Sequence, residues 1–421
     1  MRGPFLIAEF EGGEDGIAAE FILAGKDGQV TCTGWGKPQI KHTSHYDSPR
    51  EPSGASFCED QTGQKGIVKA RERKMKMGAM KEAERQQVRI MAYFPKLVDL
   101  CTSKNGDVAF LVKEEDSLEV FMEYPLDGKV HIPPSREALP FRLPRAKEVL
   151  RWYEQDRDPQ LFEDVVTYLN RYSHLPDNQF DITAWMVFLT YLQDHPDIHY
   201  LPILLFWGAP ERGKTRTGRA ITYVAYRGIH LLDIQPATLF RYSEHLRATL
   251  FVDVKDFGKK AERSGAEDIF LLRYEKGAKV ARVQYPGRGP FKDTVHYNVF
   301  GPTIIATNEP LHPILDGRCI PITTPNRPGN YENPTPDAAQ ELKERLTAWR
   351  ARTISTPLPE VGPVPGLDGR IWDITKPILQ VCKLAHPDTL ETLKESLLEK
   401  ARQRAEDRHI LPLLQRSWSA R

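Results

Sequence analysis

Cysteine is scarce in this sequence, and the cysteines present do not form a disulfide pattern. There are five, an odd number, scattered without close pairs, at Cys32, Cys58, Cys101, Cys319 and Cys382. Disulfide-rich scaffolds carry dense, even-numbered cysteines, so that class is excluded. We therefore expect a reducing compartment, with the cytoplasm as the default.

Net charge and long apolar runs are also missing. Lysine and arginine number 58 against 57 acidic residues, a formal charge of +1. Because the net charge is nearly zero, no overall electrostatic field indicates a nucleic-acid or membrane partner, and any basic surface must be local. No apolar run approaches the length of a membrane span. The opening residues, MRGPFLIAEFEGGEDG, turn acidic early and hold no small-residue cleavage site, unlike a signal peptide. We expect no membrane contact.

The chain is long enough, at 421 residues, for several domains. Short apolar runs between turn residues predict a small β-rich module over residues 1–70. Residues 71–143 combine a basic helix, either a solvated connector or a nucleic-acid arm, with a second β segment. Helical periodicity marks residues 144–200, where Asp181 is expected to cap a helix. Strands and helices alternate over 201–330, and helices follow over 331–421.

A phosphate-binding motif lies in LPILLFWGAPERGKTRTGR, residues 201–219. Gly208, Gly213, Lys214 and Thr215 satisfy G-x-x-x-x-G-K-[ST], in which backbone amides surround phosphates, the lysine reaches the terminal ones and the threonine hydroxyl holds Mg²⁺. An apolar strand precedes the loop and a helix follows it, as the motif requires. The predicted contacts to ATP and Mg²⁺ come from Gly208, Ala209, Pro210, Glu211, Arg212, Gly213, Lys214, Thr215 and Arg216.

An acid is expected at the end of a neighbouring strand, where it organises the magnesium shell. The run ATLFVDVKD places Asp253 there; the alternative is an ordinary acid at a strand end. Most such ATPases have a glutamate next, but here Val254 follows. Asp256 is the remaining candidate for the residue that activates water.

Two further residues are predicted to complete the chemistry. Asn308 ends the buried strand of VFGPTIIATNEP, where an amide can hold the attacking water near the γ-phosphate. Arg318 follows a short turn in PILDGRCIPI and could be offered to the nucleotide of a neighbouring subunit, which would make hydrolysis depend on assembly. The alternative is a surface arginine paired with Asp316.

The ordered motifs GAPERGKT, LFVDVKD, IIATNEP and LDGR resemble the Walker A, Walker B, sensor 1 and arginine-finger series of AAA+ ATPases. More narrowly, the chain resembles replicative helicase-like ATPases of phages, plasmids and integrated elements, relatives of superfamily 3 and minichromosome-maintenance helicases. The likeness covers roughly residues 93–380 and is strongest over 203–325. Val254 departs from the family pattern, in which a glutamate follows the Walker B aspartate. Arg345 and Arg350 are the candidates for sensor 2.

The resemblance implies an α/β AAA+ P-loop core with a parallel sheet, a pre-sensor β-hairpin and a helical lid, preceded by the β-rich region. It further implies an ATP- and Mg²⁺-dependent homo-hexamer that acts as a DNA helicase or translocase in replication of a mobile element. The departure at Val254 keeps a second function open, a non-motor ATPase switch that assembles on ATP and recruits or regulates a partner protein.

The stretch AKVARVQYPGRGPFKDTVHYNVF predicts a β-hairpin before the strand that ends at Asn308. Arg288 and Lys292 fall near its tip with Phe291 between them. In the resembled helicases a hairpin here enters the ring pore, where basic groups would neutralise DNA phosphates and an aromatic ring would stack on a base. The alternative is a solvated hairpin packed on a neighbouring subunit.

A zinc site is a weaker possibility in the amino-terminal region. Cys32, His42, His45 and Cys58 have the right chemistry for zinc, but their spacing is not a strong zinc pattern. These residues either bind a metal or are ordinary loop residues.

Overall fold

The computed structural model describes residues 6–13, 16–23, 88–115, 117–289, 292–325 and 331–419. It divides into two compact units, Met1–Lys76 and Met77–Arg421. In the first, β1 (Leu6–Gly13) and β2 (Gly16–Leu23) pair antiparallel. The four candidate zinc ligands lie outside the described residues. So does nearly all of the predicted connector helix, whose carboxyl-terminal end belongs instead to a strand, β3 (Val88–Ile90).

Two small sheets open the second unit. Strands β4 (Leu97–Thr102), β5 (Val108–Glu114) and β6 (Ser117–Phe121) form an antiparallel meander. Strands β7 (Tyr124–Leu126) and β8 (Lys129–Ile132) form a three-stranded sheet with β3 in the order β3-β8-β7. The alternating sequence pattern predicted this second β segment.

Three helices lead to the central sheet: α1 (Ala146–Tyr153), α2 (Leu161–Tyr172) and α3 (Asp177–Tyr191). The prediction that Asp181 caps α3 is wrong, because the helix begins four residues earlier, directly after Pro176. Proline fixes a φ suited to a helix start, and no side chain caps this end. Most of α3 is buried, so it has no polar face that would mark its boundary in the sequence.

The central sheet is parallel and has five strands. The strands of this region are β9 (Ile203–Trp207), β10 (Gly228–Leu231), β11 (Thr249–Asp253), β12 (Lys279–Val283), β13 (Thr294–Asn298), β14 (Thr303–Thr307) and β15 (Cys319–Thr323). The sheet order is β10-β11-β14-β9-β15, all parallel, whereas β12 and β13 pair antiparallel outside it. The predicted α/β class with a parallel sheet is therefore confirmed.

Both faces of the central sheet are covered, as parallel sheets require. Leu204 and Phe206 point into a core shared with α2 and α3, and Ile203 and Leu205 into a core shared with β4 and β5. Because alternate residues of a strand face opposite sides, a continuous apolar run such as ILLFW suits a strand buried on both faces.

Eight further α-helices lie in the described part of the second unit. They are α4 (Lys214–Val224), α5 (Pro236–Arg241), α6 (Phe257–Ser264), α7 (Glu267–Leu272), α8 (Pro313–Asp316), α9 (Gln340–Thr353), α10 (Arg370–Ala385) and α11 (Leu390–Ser419). Helix α9, predicted as part of a lid, is buried along most of its length and belongs to the core. Within the described ranges, no helix has the length and apolar character needed to cross a bilayer.

Candidate nucleotide site

The phosphate-binding motif forms the turn between β9 and α4. Gly213 occupies the amino-terminal cap of α4 with φ 78°, a left-handed conformation that glycine adopts at little cost. The ammonium of Lys214 lies over the loop and donates to the carbonyl oxygens of Gly208 at 2.8 Å and Ala209 at 2.6 Å. Burial lowers the pKa of Lys214, with nearby Arg212 acting in the same direction and Asp253 opposing it. The cationic lysine is thus held at the mouth of a loop that opens at a helix amino terminus, a favourable place for phosphate.

A cavity of about 490 Å³ opens above this loop. The cavity collects residues from the loop, the first turns of α4, the ends of β11 and β14, and a segment after β15. They are Pro210, Glu211, Arg212, Gly213, Lys214, Thr215, Arg216, Arg219, Asp253, Val254, Lys255, Ala306, Thr307, Asn308 and Asn333. The register of the sheet explains why these residues lie together. Trp207 pairs with Thr307, and Asp253 pairs with Ala306, so β9, β11 and β14 end at the same edge of the sheet.

Asp253 is the acid of this cavity. Burial raises its pKa, but the side chains of His230 and Thr215 and the charge of Lys214 outweigh burial, so the pKa lies below its ordinary value. The Nε2 atom of His230 is 3.6 Å from Oδ2 of Asp253, an ion-pair distance rather than a hydrogen bond. Asp253 is therefore a carboxylate at neutral pH, next to the hydroxyl predicted to share a metal with it.

These donors suit magnesium, which proteins commonly bind with one or two carboxylates while substrate phosphates supply other ligands. Thr215 and Asp253 provide a hydroxyl and a carboxylate at the same end of the cavity as Lys214. Among the described side chains, no cluster of three or more His, Cys, Asp or Glu residues suits a metal. The arrangement thus fits a cation that arrives with a nucleotide better than one caged by protein alone.

Of the two residues predicted to act on the attacking water, one lines the cavity and the other does not. Asn308 lines the cavity, and the turn beneath it is fixed by Thr307, whose Oγ1 accepts from the Glu309 amide at 3.1 Å. Val254 is part of the cavity wall, but it is only 3% exposed and its side chain packs in the core. Asp256 does not line the cavity; it has φ 56° and precedes the first residue of α6. The structure therefore brings Asn308 to Lys214 and Asp253 but leaves Asp256 outside.

Arg318 lies at the opposite edge of the sheet from the phosphate loop. Its carbonyl accepts from the amide of Ile203, the first residue of β9, and the loop follows the last residue of that strand. Its Nη1 donates to the Ile314 carbonyl at 2.7 Å, and its guanidinium is 4.5 Å from the centre of the Tyr274 ring. Asp316, its alternative partner, is bound by Arg404 at 2.7 Å. Arg318 thus cannot serve the cavity of its own chain without a large movement.

Both candidates for sensor 2 form ion pairs within the chain. Arg345 donates to Asp158 at 2.7 and 2.8 Å and to Asp164 at 2.6 Å. Arg350 is fully buried and donates to Asp194 at 2.6 and 2.7 Å. Because each guanidinium neutralises its own acids within the fold, neither is available to a phosphate.

Strands β12 and β13 form the expected antiparallel pair before β14, with Arg288 and Lys292 in the connection. Phe291 lies outside the described residues. The guanidinium of Arg288 lies 4.0 Å from the centre of the Tyr285 ring, and Tyr285 is 38% exposed. Near the tip, the exposed ring of Tyr285 therefore lies beside the cation of Arg288. This ring precedes the predicted Phe291 in the sequence.

A buried arginine connects this hairpin to the sheet. Arg273 is fully buried and donates to Val299 O at 3.1 Å, Pro302 O at 2.9 Å and Thr303 Oγ1 at 2.9 Å. These acceptors lie on the chain that runs from β13 into β14, the strand that ends next to Asn308. Burial lowers the pKa of Arg273 to about 9. The hairpin base and the strand leading to the cavity are therefore held by one side chain.

Sequence reasoning missed several cavity residues. Arg219 lies one helical turn after Thr215, so the spacing along α4 was a usable signal. Lys255 follows Asp253 by two residues, so its closeness in sequence to that acid was a second usable signal. No sequence signal indicated Asn333, or His230 beside Asp253, and both come from distant parts of the chain.

The fold and site together define a mixed α/β protein with a P-loop-like core. The sequence matches no protein-family model and no curated protein. Among solved structures, the chain is similar to a full-length MCM homolog from Methanopyrus kandleri, with 13% identity, a TM-score of 0.38 and coverage of 72% of this chain and 71% of that one. It is also similar to the NrS-1 carboxyl-terminal region in its A form apo structure, with 10% identity, a TM-score of 0.30 and coverage of 72% and 71%. A third is the SCCmec type IV Cch active helicase, with 11% identity, a TM-score of 0.30 and coverage of 97% of this chain and 74% of that one. Similarity at this level assigns no chemistry to any residue.

Proposed function

We propose that this protein is an ATPase that assembles into a ring, most simply a hexamer, and works as a DNA helicase or translocase in replication of a mobile element. One observation carries the proposal. Lys214, Thr215, Asp253 and Asn308 line one cavity, whereas Arg318 lies at the far edge of the same sheet. In the proposed assembly, Arg318 of a neighbouring chain completes this site.

The roles of the cavity residues follow from their chemistry. The loop amides from Gly208 to Thr215 and the Lys214 ammonium would hold the phosphates. Thr215 and Asp253 would hold Mg²⁺, whose charge balances the phosphate oxygens when bound. Asn308 would orient the attacking water. Asp256 stays the candidate base only if the start of α6 moves toward the cavity, because it does not line the cavity here.

Arg318 would act on the nucleotide of the neighbouring subunit. A guanidinium that approaches the transferring phosphoryl group stabilises the charge of the transition state. Hydrolysis would then change the orientation between two subunits. Rings of subunits arise from such head-to-tail contacts when the rotation closes.

The hairpin of β12 and β13 would contact DNA. Arg288 and Lys292 neutralise backbone phosphates without reading sequence, and Tyr285 adds an exposed ring for stacking on a base. Arg273 links the base of this hairpin to β14, which gives a route from the nucleotide to the DNA. The assignment to a mobile element comes only from the sequence resemblance.

ATP hydrolysis with and without single-stranded DNA tests this function. We expect a basal rate that rises on addition of DNA, and unwinding of a forked duplex. An assembled protein that neither binds DNA nor changes its rate would rule out the motor.

The buried side chain of Val254 favours a second function, an ATPase switch. No carboxylate directly follows Asp253, and Val254 packs in the core, so water activation would be weak. Such a switch would bind ATP tightly, assemble and recruit or regulate a partner protein. Slow turnover with nucleotide-dependent assembly, and no unwinding, would support the switch over the motor.

A further inference from the structure

A short segment after the central sheet lies beside the phosphate loop. Its residues Tyr331, Glu332 and Asn333 come long after the motif in sequence. Glu332 accepts from Arg171 Nη2 at 2.6 Å and Nε at 3.0 Å, and the Tyr331 ring is 5.5 Å from the ring of His174. Both contacts are with α2 or the turn that follows it. The segment is thus attached to the helical layer next to α4.

Two features keep this segment extended. Asn333 precedes Pro334, which restricts its backbone to extended conformations, and Pro334 is buried. The ion pair of Glu332 is solvent-exposed and contributes little stability by itself. The conformation is therefore set mainly by the proline and its packing, with the ion pair fixing the direction.

One side chain of this segment lines the nucleotide cavity, and a second contacts a residue that lines it. Asn333 lines the cavity directly. The ring of Tyr331 lies 5.7 Å from the guanidinium of Arg216, which also lines it. Arg216 immediately follows the last residue of the phosphate motif. The cavity wall therefore includes the Arg216 guanidinium and the Asn333 amide, with the Tyr331 ring close to the arginine.

Arg216, Tyr331 and Asn333 differ in chemistry from the residues predicted to bind phosphate and metal. Lys214, Thr215, Asp253 and Asn308 suit phosphates, a metal and water. A nucleoside bound beyond the phosphates needs a flat surface and groups that both donate and accept hydrogen bonds. Arg216 and Tyr331 supply planar groups suited to stacking on a base, and the Asn333 amide supplies a donor and an acceptor.

We propose that Arg216, Tyr331 and Asn333 form the nucleoside subsite of this cavity, with the Arg171–Glu332 ion pair as its support. The inference rests on the proposed nucleotide site and adds the residues that hold the base and sugar. Tyr331 and Arg216 bind the base by stacking. Asn333 hydrogen-bonds to the base or the sugar.

The test compares two ligands that share a phosphate chain, ATP and inorganic tripolyphosphate, by calorimetric titration of the full-length protein with Mg²⁺. Wild-type protein should bind ATP more tightly than tripolyphosphate. Tyr331→Ala and Asn333→Ala should each weaken ATP binding about tenfold, in the range of lost stacking or hydrogen bonding. Their affinity for tripolyphosphate should stay within about twofold of wild type, which also shows that the loop is folded.

Matched variants separate the subsite from general damage. Tyr331→Phe keeps the ring and should retain ATP affinity. Asn105→Ala changes an exposed asparagine on the turn between β4 and β5, and should leave both affinities unchanged. Glu332→Gln should weaken ATP binding less than Tyr331→Ala does.

Two results would overturn the subsite. One is unchanged ATP affinity in Tyr331→Ala and Asn333→Ala; the other is an equal loss for ATP and tripolyphosphate, which would place these side chains at the phosphates or in the fold. A wild-type protein that binds neither ligand would instead remove the proposed nucleotide site itself, and this outcome is distinct from the other two.

Discussion

Gly218 of α4 lies directly against the ring of Phe251 on β11. A Cβ atom at Gly218 would come within 2.2 Å of the ring, far inside contact distance. Helix α4 carries Lys214 and Thr215, and β11 ends at Asp253. The close approach of helix and strand therefore sets the spacing between the phosphate loop and its acid.

Gly218→Ala should destabilise the protein and weaken ATP binding. Alanine has a better helix propensity than glycine, by about 1 kcal/mol. Overpacking a tight core contact costs roughly 1–3 kcal/mol, so the net effect should be a lower free energy of unfolding. Urea unfolding and ATP titration measure the two effects.

Gly258→Ala is the matched control for this substitution. Gly258 is also in a helix, α6, and an added Cβ there meets nothing within 4 Å. We expect it to be neutral or slightly stabilising. Adding Phe251→Leu to Gly218→Ala should restore part of the loss; equal effects of the two glycine variants would contradict the contact argument.

The local parts of the site were predictable from sequence, for physical reasons. The phosphate loop is a continuous motif, so Gly213, Lys214 and Thr215 needed only their neighbours. Asp253 and Asn308 followed apolar runs, and parallel strands that end at one edge bring such residues together. The structure places both in the cavity.

Predictions failed where long-range contacts decide the outcome. Arg345 and Arg350 looked available in a polar helical stretch, but their partners Asp158 and Asp194 lie far earlier in the chain. The start of α3 was misplaced because most of the helix is buried, so no continuous polar face marks where it begins. Asn333 reaches the cavity from a segment with no motif, so sequence alone gave no reason to choose it.

A buried lysine predicts a pH dependence of stability. Lys343 of α9 donates to the carbonyl of Ala225 at 2.7 Å, and burial lowers its pKa to about 8. An ordinary lysine has a pKa of about 10.4. Between these values the unfolded chain binds a proton that the folded chain lacks, so the contribution of Lys343 to the unfolding free energy rises with pH. Below about pH 8 the cost of burying the charge is fully present.

Replacement of Lys343 by methionine isolates this effect. From pH 7.5 to 9.5 the unfolding free energy of wild type should gain roughly 1–2 kcal/mol relative to Lys343→Met, measured by urea unfolding. Lys376→Met, at an exposed position of α10, should show no such change. Parallel pH curves for wild type and Lys343→Met would contradict the assigned shift.

The hairpin makes a prediction about salt. Each phosphate neutralised on a single strand contributes about 0.7 to the slope of log affinity against log salt. Replacing Arg288 and Lys292 with alanine should therefore lower DNA affinity and flatten the slope by roughly 1.4 per subunit engaged. Fluorescence anisotropy of labelled single-stranded DNA at several salt concentrations measures both quantities.

Lys104→Ala serves as the control for the hairpin variant, because Lys104 is exposed on the turn between β4 and β5. It should bind DNA as wild type does. If the hairpin variant keeps the wild-type slope, the hairpin does not contact the backbone, and its solvated or subunit-packing alternative is favoured.

The position of Arg318 at the far edge of the sheet leads to a complementation prediction. Lys214→Ala should lose nucleotide binding, because the loop loses its cation. Arg318→Ala should keep binding but lose hydrolysis, on the order of a thousandfold, the range for an arginine supplied in trans. Each variant alone is expected to be inactive in an ATPase assay.

A mixture of the two variants should regain activity if the site is shared. In a mixed ring, some seams join an intact Lys214 from one subunit with an intact Arg318 from the next, and only those seams hydrolyse ATP. A random mixture at equal concentrations would make about a quarter of the seams complete, because each side of a seam is intact half of the time. If mixing restores nothing while both variants still assemble, Arg318 does not act across the seam, and its contact with Tyr274 is structural.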